Sequence, residues 1–157
     1  MKYKMRIPKQ VLIIPYRILD KNIEYCIFKR RDLKIWQWIS GGAEDFDKDI
    51  LETAKREFGE ETGIKDIKIE KLELTTKIPV VNIVKDFIWG KDVFYSEEYT
   101  FSTNITDKII NLSEEHEEYK WIQYDEARKL LKYDSNKNAL WELNEKLKRK
   151  TKMKENV

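Results

Sequence analysis

From Gln10 to Leu19 the chain reads Gln-Val-Leu-Ile-Ile-Pro-Tyr-Arg-Ile-Leu, an apolar run that predicts a buried strand. Pro15 inside it points to a sheet edge or a bulge, because proline cannot donate to a strand ladder. Asp20 to Asn22 supply a turn, and the β-forming residues 23–30 predict the returning strand. The chain then runs through 31–40 to the pair Gly41 and Gly42, where the backbone must turn sharply or allow a close approach. Between Lys48 and Thr62 the period changes. Ile50, Leu51, Ala54 and Phe58 recur at helical spacing, Asp49 and Glu52 are placed as a capping box, and Gly63 stands where helices end. Further β-rich stretches lie at 66–78, 92–102 and 118–124. A short helix is expected at 125–131, and a last helix from about Ser135 to Lys150 buries Ala139, Leu140, Leu143 and Leu147.

The 157 residues suit one domain with a core of its own, expected over 1–150, followed by a basic tail at 151–157 that is expected to fray. The single cysteine, Cys26, excludes an internal disulfide and a cysteine-based zinc site. A net charge of +2 with interspersed signs provides no chain-wide attraction to nucleic acid, and the apolar runs are too short to cross a bilayer. The first eight residues lack the apolar stretch of a secretory signal, so the expected compartment is the cytoplasm. A homodimer is compatible with the sequence.

The predicted helix at 48–62 carries the candidate chemistry. Glu57, Glu60 and Glu61 share one side of it, and like charges three and four residues apart repel. Such a face can simply be solvated. A divalent cation is the other compensator, since Mg²⁺ takes hard oxygen ligands and is commonly shared between carboxylates and substrate phosphates. A glycine-rich loop with free carbonyls before the helix suits that use.

With Gly42, thirteen intervening residues, and then Arg56, Glu57, Phe58, Gly59, Glu60, Glu61, Thr62, Gly63 and Ile64, the chain resembles the Nudix hydrolase family. One fixed position departs: Lys48 stands where the family has its first Glu. The resemblance implies an α/β/α sandwich in which helices flank a mixed β-sheet. It also implies hydrolysis of a phosphoanhydride with Mg²⁺ or Mn²⁺. Carried over by position, Glu57, Glu60, Glu61 and the Gly41 carbonyl hold metal, Glu57 or a later acid acts as base toward the attacking water, with Glu57, Glu60 and Arg56 as the catalytic candidates, and Arg56 steadies the helix. Glu52, four residues from both Lys48 and Arg56, is expected to bridge them in place of the missing Glu, with Asp45, Asp47 and Asp49 nearby.

Outside the motif, Glu115 resembles a further metal-site Glu, and His116, the only His, is expected to be a hydrogen-bonding loop residue rather than a ligand. Three stretches are similar to the bacterial dATP/dihydroneopterin-triphosphate pyrophosphohydrolase branch. They are Lys29 to Asp32 with Trp36 and Gln37, then Glu115 and His116 with Tyr119 to Trp121, and finally Ser135, Asn136 and Ala139. On that basis Arg30 and Arg31 are candidates to grip phosphate, only one of them facing the site by strand alternation, and Trp36 either stacks on a base or packs in the core. The expected reaction is cleavage of a nucleoside-triphosphate-like substrate to the monophosphate and pyrophosphate. Other nucleoside diphosphate derivatives, and a nucleotide sensor without turnover, are the alternatives.

Overall fold

A computed structural model describes residues 5–155, so the last two residues of the predicted tail lie outside it. In chain order the elements are β1 (Arg6–Leu19), β2 (Asn22–Arg30), β3 (Trp36–Gln37), β4 (Ile39–Glu44), α1 (Ile50–Thr62), β5 (Glu70–Pro79), β6 (Tyr95–Asn104), β7 (His116–Ile122), α2 (Tyr124–Leu130) and α3 (Asp134–Glu155). The seven strands form one mixed sheet. β1 runs parallel to β6 and antiparallel to β4 and then β2, while β3 and β7 attach to β2 and β5 attaches to β6.

β1 is therefore central, which corrects the edge position read from Pro15. On one side Pro15 is in register with Thr103 of β6. On the other it falls between Ile13, the last partner of β4, and Tyr16, the first partner of β2. The missing N–H thus sits where β1 exchanges one neighbour for the next, and a proline is tolerated there.

Both faces of the sheet are covered, which explains the unbroken apolar run in β1. Val11, Ile13, Cys26, Phe28 and Ile39 pack against Ala54 and Phe58 of α1. Leu12, Ile14, Tyr25, Ile27 and Trp38 face α2 and α3, meeting Ala127, Ala139, Leu140, Leu143 and Leu147. Truncating a buried aromatic such as Phe58 to Ala costs about 3–5 kcal/mol in such a core. Asn136 fixes the start of α3 over the sheet: its side-chain oxygen accepts the Trp38 backbone N–H at 2.9 Å, and its carbonyl accepts the Trp38 indole N–H at 2.9 Å.

α3 continues to Glu155, beyond the predicted end at Lys150, so the segment expected to fray is helical that far. Lys, Arg and Met are good helix formers, and basic side chains suit a helix C-terminus. Pairs four residues apart, Glu142 with Lys146 and Glu145 with Arg149, support the exposed face. Among the described residues no helix is long and apolar enough to cross a membrane.

Candidate active site

The helix α1 forms where its sequence signals place it. Asp49 caps the N-terminus by accepting the Glu52 N–H at 2.8 Å, and Gly63 closes the C-terminus at φ 74°, donating its N–H to the Gly59 carbonyl. Phe58 and Ala54 dock into the sheet, which fixes the rotation of the helix and lays Glu57 against Gly41 of β4. A Cβ at Gly41 would overlap the Glu57 carboxyl, and one at Gly42 would overlap the guanidinium of Arg6. The glycine pair thus admits a carboxylate at one residue and a cation at the next.

Arg56 organises the acidic side of α1. Its guanidinium donates to both Asp47 oxygens, at 3.1 and 2.9 Å, to Glu57 Oε1 at 3.0 Å and to the Gly42 carbonyl at 3.1 Å, with Glu60 Oε1 at 3.5 Å. The expected bridge through Glu52 is not what forms. Glu52 Oε2 instead accepts the Lys48 backbone N–H at 3.3 Å, and Asp47 takes Arg56. The physical reason is reach and geometry: Asp47 lies in the turn before the helix and meets the planar fork of arginine with both oxygens. Burial pushes the Asp47 carboxyl up, but hydrogen bonds from Arg56, the Glu44 N–H and the Thr53 hydroxyl outweigh this and hold it at about 2. Glu57 shifts the other way. Burial, with the charges of Glu60 and Glu61 added, outweighs Arg56 and raises its pKa to about 7.

Glu61 is 5% exposed and faces β7. Its Oε2 accepts from the Ser113 hydroxyl and lies 3.0 Å from His116 Nδ1. Burial opposes ionisation of Glu61, but these partners prevail and lower its pKa. Glu115 interacts with Glu61, and burial together with the Glu61 charge raises its pKa. His116 does hydrogen-bond, as expected, but it opens β7 rather than lying in a loop, is 1% exposed, and packs against Phe28 with ring centroids 5.4 Å apart.

Among the described residues no three acidic or imidazole groups converge as a ready-made ion cage, because Arg56 draws Glu57 and Glu60 while His116 and Ser113 hold Glu61. The donor chemistry nevertheless fits a hard divalent cation. Three carboxylates lie within one stretch of helix, and partial burial together with the charges of Glu60 and Glu61 raises the Glu57 pKa to about 7 against the pull of Arg56.

Of the two candidate arginines, Arg30 is the one on this face. It is in register with His116, and its charge acts on Glu115, although its guanidinium is held by Asp32 at 3.0 and 2.6 Å. Arg31 donates to the Glu114 carbonyl at 3.0 Å. Trp36 is not brought to the carboxylates. It packs against the core on the α2 and α3 side, with the Lys120 ammonium 5.1 Å from its ring centre. Sequence reasoning overlooked Arg6, whose position over Gly42 depends on the pairing of β1 with β4 and leaves no local signal.

Comparison with known proteins bears on the family and the fold. The NUDIX domain model matches residues 13–142. The chain is 31% identical over 132 residues to the rat (Rattus norvegicus) bis(5'-nucleosyl)-tetraphosphatase [asymmetrical], covering 83% of this chain and 84% of that one. A NUDIX hydrolase crystal structure from Listeria monocytogenes superposes with a TM-score of 0.82 at 37% identity, over 92% of this chain and 97% of that one. The dihydroneopterin triphosphate pyrophosphohydrolase of E. coli shares the fold at a TM-score of 0.71 and 23% identity, over 88% of this chain and 97% of that one. With the glycine pair set against the glutamates of α1 and the family model spanning most of its length, the chain belongs to the NUDIX family.

Proposed function

We propose that this chain hydrolyses a phosphoanhydride bond of a nucleoside-triphosphate-like substrate, giving the monophosphate and pyrophosphate with Mg²⁺ or Mn²⁺. The observation that carries the reading is the placement of Glu57. A half-buried carboxyl against Gly41, with its pKa raised to about 7, is suited to take a proton from water near neutral pH.

Nudix hydrolases generally use divalent cations, and here Glu57, Glu60, Glu61, Glu115 and the Gly41 carbonyl are the residues that would hold one. A bound cation would neutralise charge on the bridging phosphate oxygens and make bound water more acidic. The protein's part is positional. Asp47 fixes Arg56, and Arg56 orients Glu57 and spans to the Gly42 carbonyl, so the acceptor oxygen of Glu57 has a defined location. Ser113, in the loop before β7, and His116, at the start of β7, orient Glu61. Arg30, on the same face, is the phosphate-binding candidate of its pair, and it must exchange Asp32 for phosphate to act so.

A second reading is favoured by the rat relative: a dinucleoside polyphosphate as substrate, split asymmetrically. One experiment separates the readings. The purified chain is incubated with Mg²⁺ and a panel of dNTPs and dinucleoside tetraphosphates, products are resolved by ion exchange, and Glu60→Gln serves as control. Release of pyrophosphate and dNMP supports the first reading, and release of an NTP with an NMP supports the second. Tight nucleotide binding with no turnover of any compound would leave a sensor and refute both.

A further inference from the structure

Six buried side-chain atoms among the described residues have no hydrogen-bond partner, and five of them lie together. They are Arg6 Nε, Gln10 Oε1, Glu44 Oε2, Ser96 Oγ and Glu98 Oε1, spread over β1, β4 and β6. Register explains the grouping. Gln10 of β1 is opposite Gly42 on one side and Glu98 on the other, Arg6 is opposite Glu44, and Ser96 is two residues before Glu98 and so on the same face. Leu12 and Ile14, also two and four residues from Gln10, belong to the α2 and α3 core. The cluster therefore occupies the face of the sheet turned away from α1, and it meets the catalytic carboxylate only across the Gly41 and Gly42 ribbon.

An unpartnered buried polar atom is destabilising, so a group of them on adjacent strands calls for a polar occupant. Ser96 is 0% exposed and Glu98 is 4% exposed. The donor pattern is fixed by the one bond present. Gln10 Nε2 donates to Glu98 Oε2 at 2.8 Å, so the amide nitrogen must face the carboxylate and the amide oxygen faces away. What remains is three acceptor oxygens, Glu44 Oε2 opposite Arg6, and Gln10 Oε1 with Glu98 Oε1 on the neighbouring β1 and β6, with the Ser96 hydroxyl beside Glu98. The Gln10 and Glu98 oxygens recognise N–H donors.

We infer that Gln10, Ser96 and Glu98 bind the heterocyclic base of the substrate by an edge that carries an exocyclic amine, while Arg6 contacts the phosphate chain where it passes Gly42 toward Glu57. The inference rests on the nucleotide-hydrolase reading and adds the substrate class that reading leaves open. Arg6 suits its role because its Nε is unpartnered and no side chain intervenes at Gly42. A phosphate supplies the planar fork with the acceptors it lacks. Burial pushes the Glu98 carboxyl up, with hydrogen bonds from the Gln10 amide and then the Ser135 hydroxyl of α3 acting against it, and an N–H donor from the base favours the carboxylate further. At the Arg6 end the cover is the connection between β5 and β6, whose Trp89 indole donates to the Arg6 carbonyl at 2.7 Å.

Binding without turnover tests this independently of hydrolysis. Calorimetry with Mg²⁺ compares α,β-methylene analogues in pairs that share a ring system and differ at the amine: dCTP against dUTP, and dGTP against dITP. The wild-type chain is expected to bind the amine-bearing member of each pair about tenfold tighter, as a site built on hydrogen bonds does. In Glu98→Gln and Ser96→Ala that advantage is expected to shrink to within about threefold. Equal affinity within both pairs for the wild-type chain, an undiminished advantage in both variants, or no binding of any analogue overturns the proposal. Should the variants fail to fold, amide chemical shifts of the wild-type chain decide. Perturbation at Gln10, Ser96 and Glu98 on adding the dCTP analogue supports it, and perturbation confined to α1 and the glycine pair overturns it. Absence of turnover with binding selectivity intact would instead count against the hydrolase reading alone.

Discussion

The carboxylate of Asp47 holds the guanidinium of Arg56 by two hydrogen bonds, Nε to Oδ1 at 3.1 Å and Nη2 to Oδ2 at 2.9 Å. The contact ties the turn before α1 to the middle of the helix, and Arg56 passes the constraint on to Glu57 and to Gly42. The cation at position 48 is thereby accommodated, because the partner that the motif normally supplies there stands one residue earlier.

Replacing Asp47 by Ala leaves Arg56 half-buried without its main partner and is expected to destabilise the chain by roughly 2–3 kcal/mol. Lys48→Glu adds a charge to an arginine already engaged and is expected to stay within about 0.5 kcal/mol of wild type. Urea unfolding of the two variants checks both. A large gain from Lys48→Glu would mean that Asp47 does not satisfy Arg56.

Acid should weaken the same contact in a defined window. Asp47 has its pKa lowered to about 2 in the folded chain, below the ordinary carboxylate value, so its stabilising contribution is complete above about pH 4 and is lost as pH falls toward 2. In Asp47→Asn that part of the pH dependence disappears. Unfolding midpoints between pH 2 and 5 for wild type and Asp47→Asn give the comparison.

Glu57 carries the opposite sign. With its folded pKa raised to about 7, it is increasingly protonated below neutrality, and a cation must displace that proton. Mn²⁺ affinity is therefore expected to rise by up to about tenfold per pH unit below 7 and to level off above it. Uptake of the ion should release protons, which calorimetry in buffers of different ionisation enthalpy measures directly. In Glu57→Gln the proton release is lost.

Gly41→Ala places a methyl group where the Glu57 carboxyl lies. The side chain must swing away, and displacement by about 1 Å is enough to reduce kcat/KM on the order of 100-fold. Stability should change far less than activity, since moving Glu57 outward relieves its burial. Parallel thermal melts and steady-state kinetics separate the two effects.

At the far end of the helix, Gly63 has φ 74°, a conformation that a side chain strains. Gly63→Ala should cost about 1 kcal/mol in chemical denaturation and leave the metal dependence of the reaction unchanged.

Much of the architecture was legible in the chain itself. The capping box at Asp49 and Glu52, the apolar positions of α1 and the terminating Gly63 act through neighbours within a turn, so they define the helix locally. The stripe of Ala139, Leu140, Leu143 and Leu147 likewise marked the buried side of α3. Pro15 misled because its environment is set by which strands flank β1, and strand order is not a local property. Glu52 misled because spacing along a helix names every side chain within reach but does not weigh a competing carboxylate in the preceding turn.

The sequence by itself determined that three glutamates share a helix behind a pair of glycines, because a 3.6-residue period and backbone freedom are written residue by residue. Only the tertiary structure decided which carboxyl is buried against Gly41, that His116 and Ser113 turn Glu61 inward, and that Arg6, Gln10, Ser96 and Glu98 share the opposite face. Those relations join residues tens of positions apart. They follow from strand order, register and the docking of Phe58, which are fixed only when the whole core packs.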